Sequence, residues 1–192
     1  MKLPRVVRIV ALVVLGSACR RGEPAEPPLP VVEPAPPGEG VGSRPPVATA
    51  WVRVLEGTDQ VRGEGLALLP GGGVVLAGDF FGSLDCDPSP GEDLRVSRGR
   101  SDVYVAAFDD GGRRRWCTTF GGPGSEVVAP LAVGRDGDVI VAGRFHETAD
   151  LDPGVAEDLR SSRGAADVFV SRLGSNGARR WTRTLGGAGD DL

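Results

Sequence analysis

The fold of this chain is decided by residues 136–145, which read DGDVIVAGRF. The Asp-Gly pair that opens the stretch tolerates the positive φ of a tight hairpin turn. The β-branched and apolar residues after it are typical of a strand. A similar stretch, GGGVVLAGDF, stands 65 residues earlier at 71–80. The sequence therefore predicts a strand over 138–145 that belongs to a repeated unit.

The 65-residue spacing extends over most of the chain. Trp51, Trp116 and Trp181 follow it, and no gap is needed between the units. The tetrapeptide Glu-Asp-Leu-Arg occurs at 92–95 and again at 157–160. Agreement over such a length at one fixed period indicates a repeat architecture.

Each unit is predicted to hold four short strands, separated by Gly-containing turns. In the second unit they cover 116–120, 129–133, 138–145 and 167–173. Asp136-Gly137 and Asn176-Gly177 provide hairpin turns. A four-stranded antiparallel unit cannot bury both faces alone, whereas units stacked radially can, as in a β-propeller. We therefore predict an all-β chain of propeller blades.

The predicted blades cover 51–115 and 116–180, and a third begins at 181–192. Ordinary blades have about 40 to 50 residues, and the surplus here lies between the third and fourth strands, at 81–101 and 146–166. Because loops at one point of every blade line one face of the disc, we expect the partner to bind there. Closed propellers have about four to eight blades, so we expect a longer parent protein or a truncated reading frame.

These features resemble the bacterial β-propeller repeat called the SBBP repeat. The resemblance covers 51–192 and is carried by 116–124, 136–145 and 164–170. The first unit departs from it, with Leu55-Glu56-Gly57 where the Gly-Gly pair stands in the others. The resemblance implies an exported all-β disc and no defined reaction.

Residues 1–18 are predicted to be a signal peptide. Three basic residues precede the apolar run Ile9–Leu15, which is too short for a bilayer span of about 20 residues. Leu15-Gly16-Ser17-Ala18-Cys19 resembles a bacterial lipobox, although Gly16 stands where that family usually has Leu. The resemblance implies lipidation of Cys19, and cleavage after Ala18 without lipid is the alternative. Arg20 in place of Asp implies an outer-membrane anchor, on its periplasmic or surface face.

Residues 19–50 follow as the lipidation site and a proline-rich linker. Nine prolines lie within 22–49, and their fixed φ and missing N–H exclude helix and central strand. Such a stretch is typical of a semi-stiff spacer that holds a domain away from a membrane. A peptide-recognition ligand is the alternative.

Acidic pairs in the long loops are the candidate metal ligands. Asp85 and Asp87 in the first unit match Asp150 and Asp152 in the second. Calcium takes six to eight oxygen ligands from loops of this kind. Solvated carboxylates in Asx turns explain the same pattern, so calcium and no cofactor are both retained.

Two cysteines and one histidine complete the candidate groups. Cys86 and Cys117 would remain in an oxidising compartment, where a disulfide between them or two free thiols are the alternatives. His146 is the single histidine and is expected to be an exposed loop residue. The tryptophans are expected to be packing residues.

Together these features predict a membrane-anchored extracytoplasmic binding module with no catalytic site. Its ligand would be a protein or a glycan on the loop face, and the net charge of −4 argues against nucleic acid. Two alternatives stay open. One is a quinoprotein-like enzyme, because 109–116 and 175–181 are similar to the Gly-x-x-x-Trp tail of those repeats. The other is a scaffold lipoprotein of an outer-membrane assembly machinery.

Overall fold

The computed structural model describes residues 51–191 and the backbone of one further strand, Val7–Leu12. Cys19, the linker at 19–50 and the rest of the signal peptide lie outside the described residues. All regular elements in the described ranges are β-strands, which confirms the all-β prediction. Those ranges accordingly contain no helix long and apolar enough to cross a membrane.

The strands follow one another along the chain with short connections. Their bounds are β1 Val7–Leu12, β2 Val52–Gly57, β3 Val61–Leu68, β4 Val74–Phe80, β5 Ser83–Asp85, β6 Leu94–Val96, β7 Asp102–Phe108, β8 Arg114–Phe120, β9 Val127–Val133, β10 Val139–Phe145, β11 Thr148–Asp150, β12 Leu159–Ser161, β13 Asp167–Leu173 and β14 Arg179–Leu185.

Two antiparallel four-stranded sheets form the body of the molecule. The first sheet has the order β3-β4-β7-β8, and the second sheet has the order β9-β10-β13-β14. In each sheet the two middle strands pair along their whole length, from Val74↔Phe108 to Phe80↔Asp102 in the first. Tight turns join neighbouring strands, and Gly137 and Gly177 adopt φ values of 80° and 82° there. The Asp-Gly and Asn-Gly dipeptides therefore form the turns that the sequence predicts.

The hydrogen-bonded sheets are offset by one strand from the sequence repeat. β8 contains Trp116, which opens the second sequence unit, yet β8 pairs with β7 of the first. β14, with Trp181, likewise completes the second sheet. The physical reason is the tight turn at 109–113, which returns β8 directly beside β7. The boundaries 51–115 and 116–180 therefore mark the repeat, while the sheets span 61–120 and 127–185.

The two sheets pack face to face. Their shared core contains Val75 and Val105 from the first sheet and Val141 and Phe169 from the second. Phe120 of β8 meets the Phe169 ring edge-on, with ring centroids 5.7 Å apart, a favourable geometry for aromatic pairs.

The opposite face of the first sheet is also covered. Phe80 and Tyr104 lie there beneath Leu55, Leu84 and Cys86, which come from β2 and the segment around β5. The middle strands of the first sheet, β4 and β7, are thus buried on both faces, whereas the second sheet has a packed inner face and a partly exposed outer face.

The segments predicted as long loops each contain a two-stranded hairpin. β5 pairs with β6 within 81–101, and β11 pairs with β12 within 146–166. β5 also extends β2 at Glu56↔Asp85, and the backbone of β1 pairs antiparallel with the other edge of β2.

Candidate binding face

The hairpins β5–β6 and β11–β12 define the candidate binding face. Each is closed at its base by one carboxylate oxygen. Oδ1 of Asp85 accepts the N–H groups of Asp87 and Asp93, both at 2.9 Å. In the second hairpin Oδ1 of Asp150 accepts from Asp152 and Asp158 at 3.1 and 3.0 Å. A side-chain acceptor of this kind replaces ladder bonds that the irregular hairpin lacks.

Arginines hold the second strand of each hairpin against its own sheet. Arg179 of β14 binds Asp152 at 2.8 Å and Asp158 at 3.1 Å. Arg114 of β8 binds Asp93 in the same way, and Arg95 binds that carboxylate at 3.0 Å. Burial opposes the ionisation of Asp93, but the hydrogen bonds and charges of these arginines outweigh it and hold its pKa below the ordinary value.

A further arginine joins the two hairpins. Nη1 of Arg98 donates to Oδ2 of Asp150 at 3.0 Å and to the Gly121 carbonyl at 3.3 Å. Arg98 belongs to the first unit and Asp150 to the second, so the two hairpins are neighbours on one side of the molecule. Burial works against the charge of Asp150, but the backbone N–H bonds and Arg98 keep its pKa below the usual range.

The outward surface of the hairpins is apolar in part. The side chains of Leu94, Val96 and Leu159 are more than half exposed, and Val155 at the second tip is fully exposed. None of these side chains belongs to either hydrophobic core. A surface of this kind is available to a partner.

The four predicted calcium ligands do not converge. Asp85 and Asp150 are engaged with backbone N–H groups, Asp87 accepts the Ser89 N–H at 2.9 Å, and Asp152 is bound by Arg179. Within residues 51–191, no three His, Cys, Asp or Glu side chains are grouped so that they could share a metal ion. Calcium binding stays a prediction, and these carboxylates have an observed structural use.

Cys86 and Cys117 are joined by a disulfide, with their Cα atoms 6.0 Å apart. The bond ties the end of β5 to β8, beside the core on the outer side of the first sheet. The matching residues of the second unit, Leu151 and Thr182, are linked by a hydrogen bond from the Thr182 hydroxyl to the Leu151 carbonyl at 3.4 Å. The same contact is thus covalent in one unit and polar in the other.

His146 is half-buried, so the expectation of an exposed histidine is wrong. Its Nδ1 lies 2.7 Å from the Ser125 carbonyl. The reason is the connection at 121–126, which folds over the start of the second hairpin. There a Cβ on Gly124 would come within 3.1 Å of the His146 Cβ.

Trp51 and Trp116 are packing residues, as predicted. The indole N–H of Trp51 donates to Asp110 O at 2.9 Å, and that of Trp116 donates to Ser175 O at 2.8 Å. Each ring covers the glycine of a β-turn in the next sheet, Gly112 or Gly177, where any Cβ would overlap the indole. Trp116 therefore fastens the first sheet to the hairpin turn of the second.

Two features of the site were not predicted from the sequence. One is the arginine clamp, although Asp93 with Arg114 and Asp158 with Arg179 recur at the 65-residue period with opposite charges. The other is Glu126, a fully buried acid in the connection between the sheets. Its signal was a Gly-Gly pair followed by an acid, which occurs again as Gly186, Gly187 and Asp191.

The chain is similar to the Regulatory protein FlaEY of Caulobacter vibrioides. The two are 29% identical over 94 residues, which are 49% of this chain and 10% of that protein. A comparison with protein families finds no match. Because the similar segment spans about a tenth of the relative, the relative's own role does not transfer to this chain.

Proposed function

We propose that this chain forms part of a membrane-anchored, extracytoplasmic β-propeller that serves as a binding module and carries no catalytic site. The observation that supports it best is the way in which the second sheet lies on the first. Residues equivalent at the 65-residue period occupy equivalent faces, so the same packing can be repeated along the apolar stripe of the sheet.

The contact between the sheets provides the template for that repetition. Val75, Ala77, Val103 and Val105 of the first sheet face the second. The residues 65 positions later, Ile140, Ala142, Val168 and Val170, form the outer face of the second sheet. They lie in a wide, mainly apolar depression or beside it. A further sheet of the same repeat is the occupant that this face fits.

The one-strand offset of the sheets supports closure into a ring. β2 is equivalent to β8 and β14, the outer strands of the two sheets, since all three carry or adjoin a repeat tryptophan. β2 therefore corresponds to the outer strand of a further sheet. In a closed propeller, such a strand from the start of the chain completes the sheet formed by the end of the chain.

Tandem copies of the unit test the architecture. Proteins with four to eight copies of residues 116–180, all preceded by 51–115, would be compared by urea denaturation and small-angle scattering. A propeller gives one copy number with maximal stability and a compact disc, because only that number brings β2 to its partner. A steady rise in stability with copy number would instead indicate an open stack.

Anchoring concerns residues outside the described ranges and needs its own test. The full chain would be expressed in a Gram-negative host with labelled palmitate, beside Cys19→Ala. Label in wild type alone, in the outer-membrane fraction, supports a lipid anchor. Unlabelled wild type cleaved after Ala18 supports ordinary export.

The binding role is assigned to the hairpin face because it combines order with exposed apolar side chains. Leu94→Asp and Leu159→Asp place charges on that face without touching either core. Screening against glycans and outer-membrane proteins should find a ligand whose binding both variants weaken more than tenfold. An equal effect of Glu39→Gln, in the linker, would argue against the hairpin face.

A further inference from the structure

The connection between the two sheets brings two buried carboxyl groups together. Glu126 ends this connection and is fully buried, and Asp102 opens β7 with 1% of its surface exposed. A Cβ built on Gly121 would lie 2.5 Å from Oε2 of Glu126 and 2.9 Å from Oδ1 of Asp102. Both carboxyls thus reach the same point, which only glycine leaves free.

The two groups differ in how they are satisfied. Oδ1 of Asp102 accepts the Arg98 N–H at 3.0 Å and the Ser97 hydroxyl at 3.1 Å. Oε2 of Glu126 accepts the Gly122 N–H at 2.8 Å. Oε1 of Glu126 is buried, and although the His146 backbone N–H faces this carboxyl, no donor makes a hydrogen bond of normal geometry to Oε1. A buried carboxylate oxygen without a donor is costly when charged, whereas a protonated oxygen can itself donate.

The charges facing Glu126 do not cancel a second negative charge. Arg98, from the β6–β7 connection, is the cation that acts on both acids, but it is also bound to Asp150 of β11. The His146 ring points to the Ser125 carbonyl, and only its backbone N–H acts on the carboxyl. Asp102 remains as the facing anion.

The arrangement recurs at the next junction of the repeat. A Cβ on Gly186 would lie 2.4 Å from Oδ1 of Asp167, which matches Asp102. Oδ2 of Asp191 accepts the Gly187 N–H at 2.7 Å, as Glu126 does from Gly122. Oδ2 of Asp167 is buried without a hydrogen-bond partner, and Nε of Arg163 lies 3.5 Å from it. A Gly-Gly pair between two acids is therefore a property of the junction.

We propose that Glu126 is a protonated carboxylic acid that donates its proton in a hydrogen bond to the Asp102 carboxylate, and that this acid pair fastens the connection between the sheets. The first unit has Val61 in place of Glu126, so the pair is confined to a junction where one sheet follows another. Loss of the proton leaves two negative charges around Gly121 and loosens residues 121–126.

The protonation balance of Glu126 agrees with this geometry. Burial raises the pKa of Glu126 to about 8, and the charge of Asp102 adds to the effect against the opposing Gly122 and His146 N–H groups and Arg98. Burial also raises the pKa of Asp102, against its hydrogen bonds. Because the folded state then binds one proton more than the unfolded state, stability is greatest at low pH. It falls as pH rises between about 4.5 and about 8.

Urea denaturation at pH 5 to 9 tests the proposal. One linked proton raises the unfolding constant about tenfold per pH unit inside this window. Glu126→Gln keeps an acceptor for Gly122 and a donor for Asp102, so it should remove that slope between pH 6 and 8. Below pH 6 the buried Asp79 adds a slope of its own. Glu157→Gln, which removes an exposed acid from the hairpin tip, should keep it. Equal slopes in wild type and Glu126→Gln overturn the proposal.

Infrared spectroscopy of the wild type tests the protonation state of Glu126 even if the variant does not fold. With ¹³C-labelled glutamate, a protonated carboxyl band should be present at pH 7 and disappear above pH 8. Asp102→Asn removes the facing charge and should move that disappearance to lower pH. A glutamate band absent at pH 7, or unmoved by Asp102→Asn, contradicts the shared proton.

Discussion

The two sheets have nearly the same backbone and unequal surroundings. In the first sheet every residue of β4 and β7 is buried. In the second sheet β10 and β13 alternate between buried residues and partly exposed residues, of which Ile140 is the most exposed at 39%. The difference does not come from hydrophobicity alone, because Val105 and Val170 are equivalent and identical. It comes from what covers them, since the second sheet lies on Val105 and no described residue takes that place on Val170.

The chemical character of the side chains at equivalent positions follows this difference in burial only in part. Ala107, in the shared core, is matched by Arg172, which binds Asp136 and Asp138 at 2.5 and 2.8 Å. Asp79, fully buried, is matched by the half-exposed Arg144. The outer face of the second sheet thus keeps the apolar stripe of the first and is more basic at its ends.

The largest expected difference between the two sheets comes from placing a charge at the equivalent positions Val105 and Val170. Val105→Asp buries an unpaired carboxylate and should cost about 4 kcal/mol or more, or prevent folding. Val170→Asp meets solvent on one side and should cost about 1 kcal/mol or less. Urea denaturation of both variants measures the ratio. Similar losses at the two sites would show that the outer face of the second sheet is covered in solution.

The disulfide can be exchanged for the arrangement of the second unit. The double variant Cys86→Leu with Cys117→Thr should lose about 3 kcal/mol, because the unfolded chain regains the freedom of a loop closed across 31 residues. The converse pair, Leu151→Cys with Thr182→Cys, should form a disulfide and gain stability. Thermal unfolding with and without reductant measures both, and a reductant-insensitive wild type would contradict the expectation.

A buried acid at the position of Asp79 is present in the first sheet, whereas the second sheet has Arg144 there. The stability of the protein should therefore depend on pH through Asp79. Burial raises the pKa of Asp79 to about 6, with Glu64 adding to the effect and Arg62 opposing it. The folded state therefore holds this proton more tightly, and its contribution is present at low pH and lost as pH rises from about 4 to 6. Relative to Asp79→Asn, wild type should lose roughly 2 kcal/mol over that range. A pH-independent difference between the two proteins would be inconsistent with a buried acid.

The tryptophans give the smallest expected effect. Trp116→Phe keeps the packing on Gly177 and removes the hydrogen bond to Ser175, so it should cost about 1 kcal/mol. In the structurally described part of the chain the Trp181 indole N–H has no such partner, and Trp181→Phe should be nearly neutral. Chemical denaturation of the two variants measures the difference. A larger loss for Trp181→Phe would require an undescribed contact for that ring.

Much of the fold could be predicted from the repeat. The predicted strands at 129–133, 138–145 and 167–173 correspond to β9, β10 and β13, because alternating β-branched residues and Gly turns encode them locally. The hairpins within 81–101 and 146–166 could not be predicted, since their strands have three residues each and depend on Asp85 and Asp150. The half-buried state of His146 was missed for the same reason, because it depends on contacts across the chain.

The sequence by itself determined the strands, the turns and the 65-residue period, since these follow from local backbone preferences and side-chain alternation. Only the tertiary structure decided how they combine. It pairs Trp116's strand with the preceding unit and places Arg98 on Asp150 of the next unit. It also buries Glu126 against Asp102 across Gly121. Such contacts join residues distant in the chain, and their energies depend on burial and on the distance between charges, which no local pattern specifies.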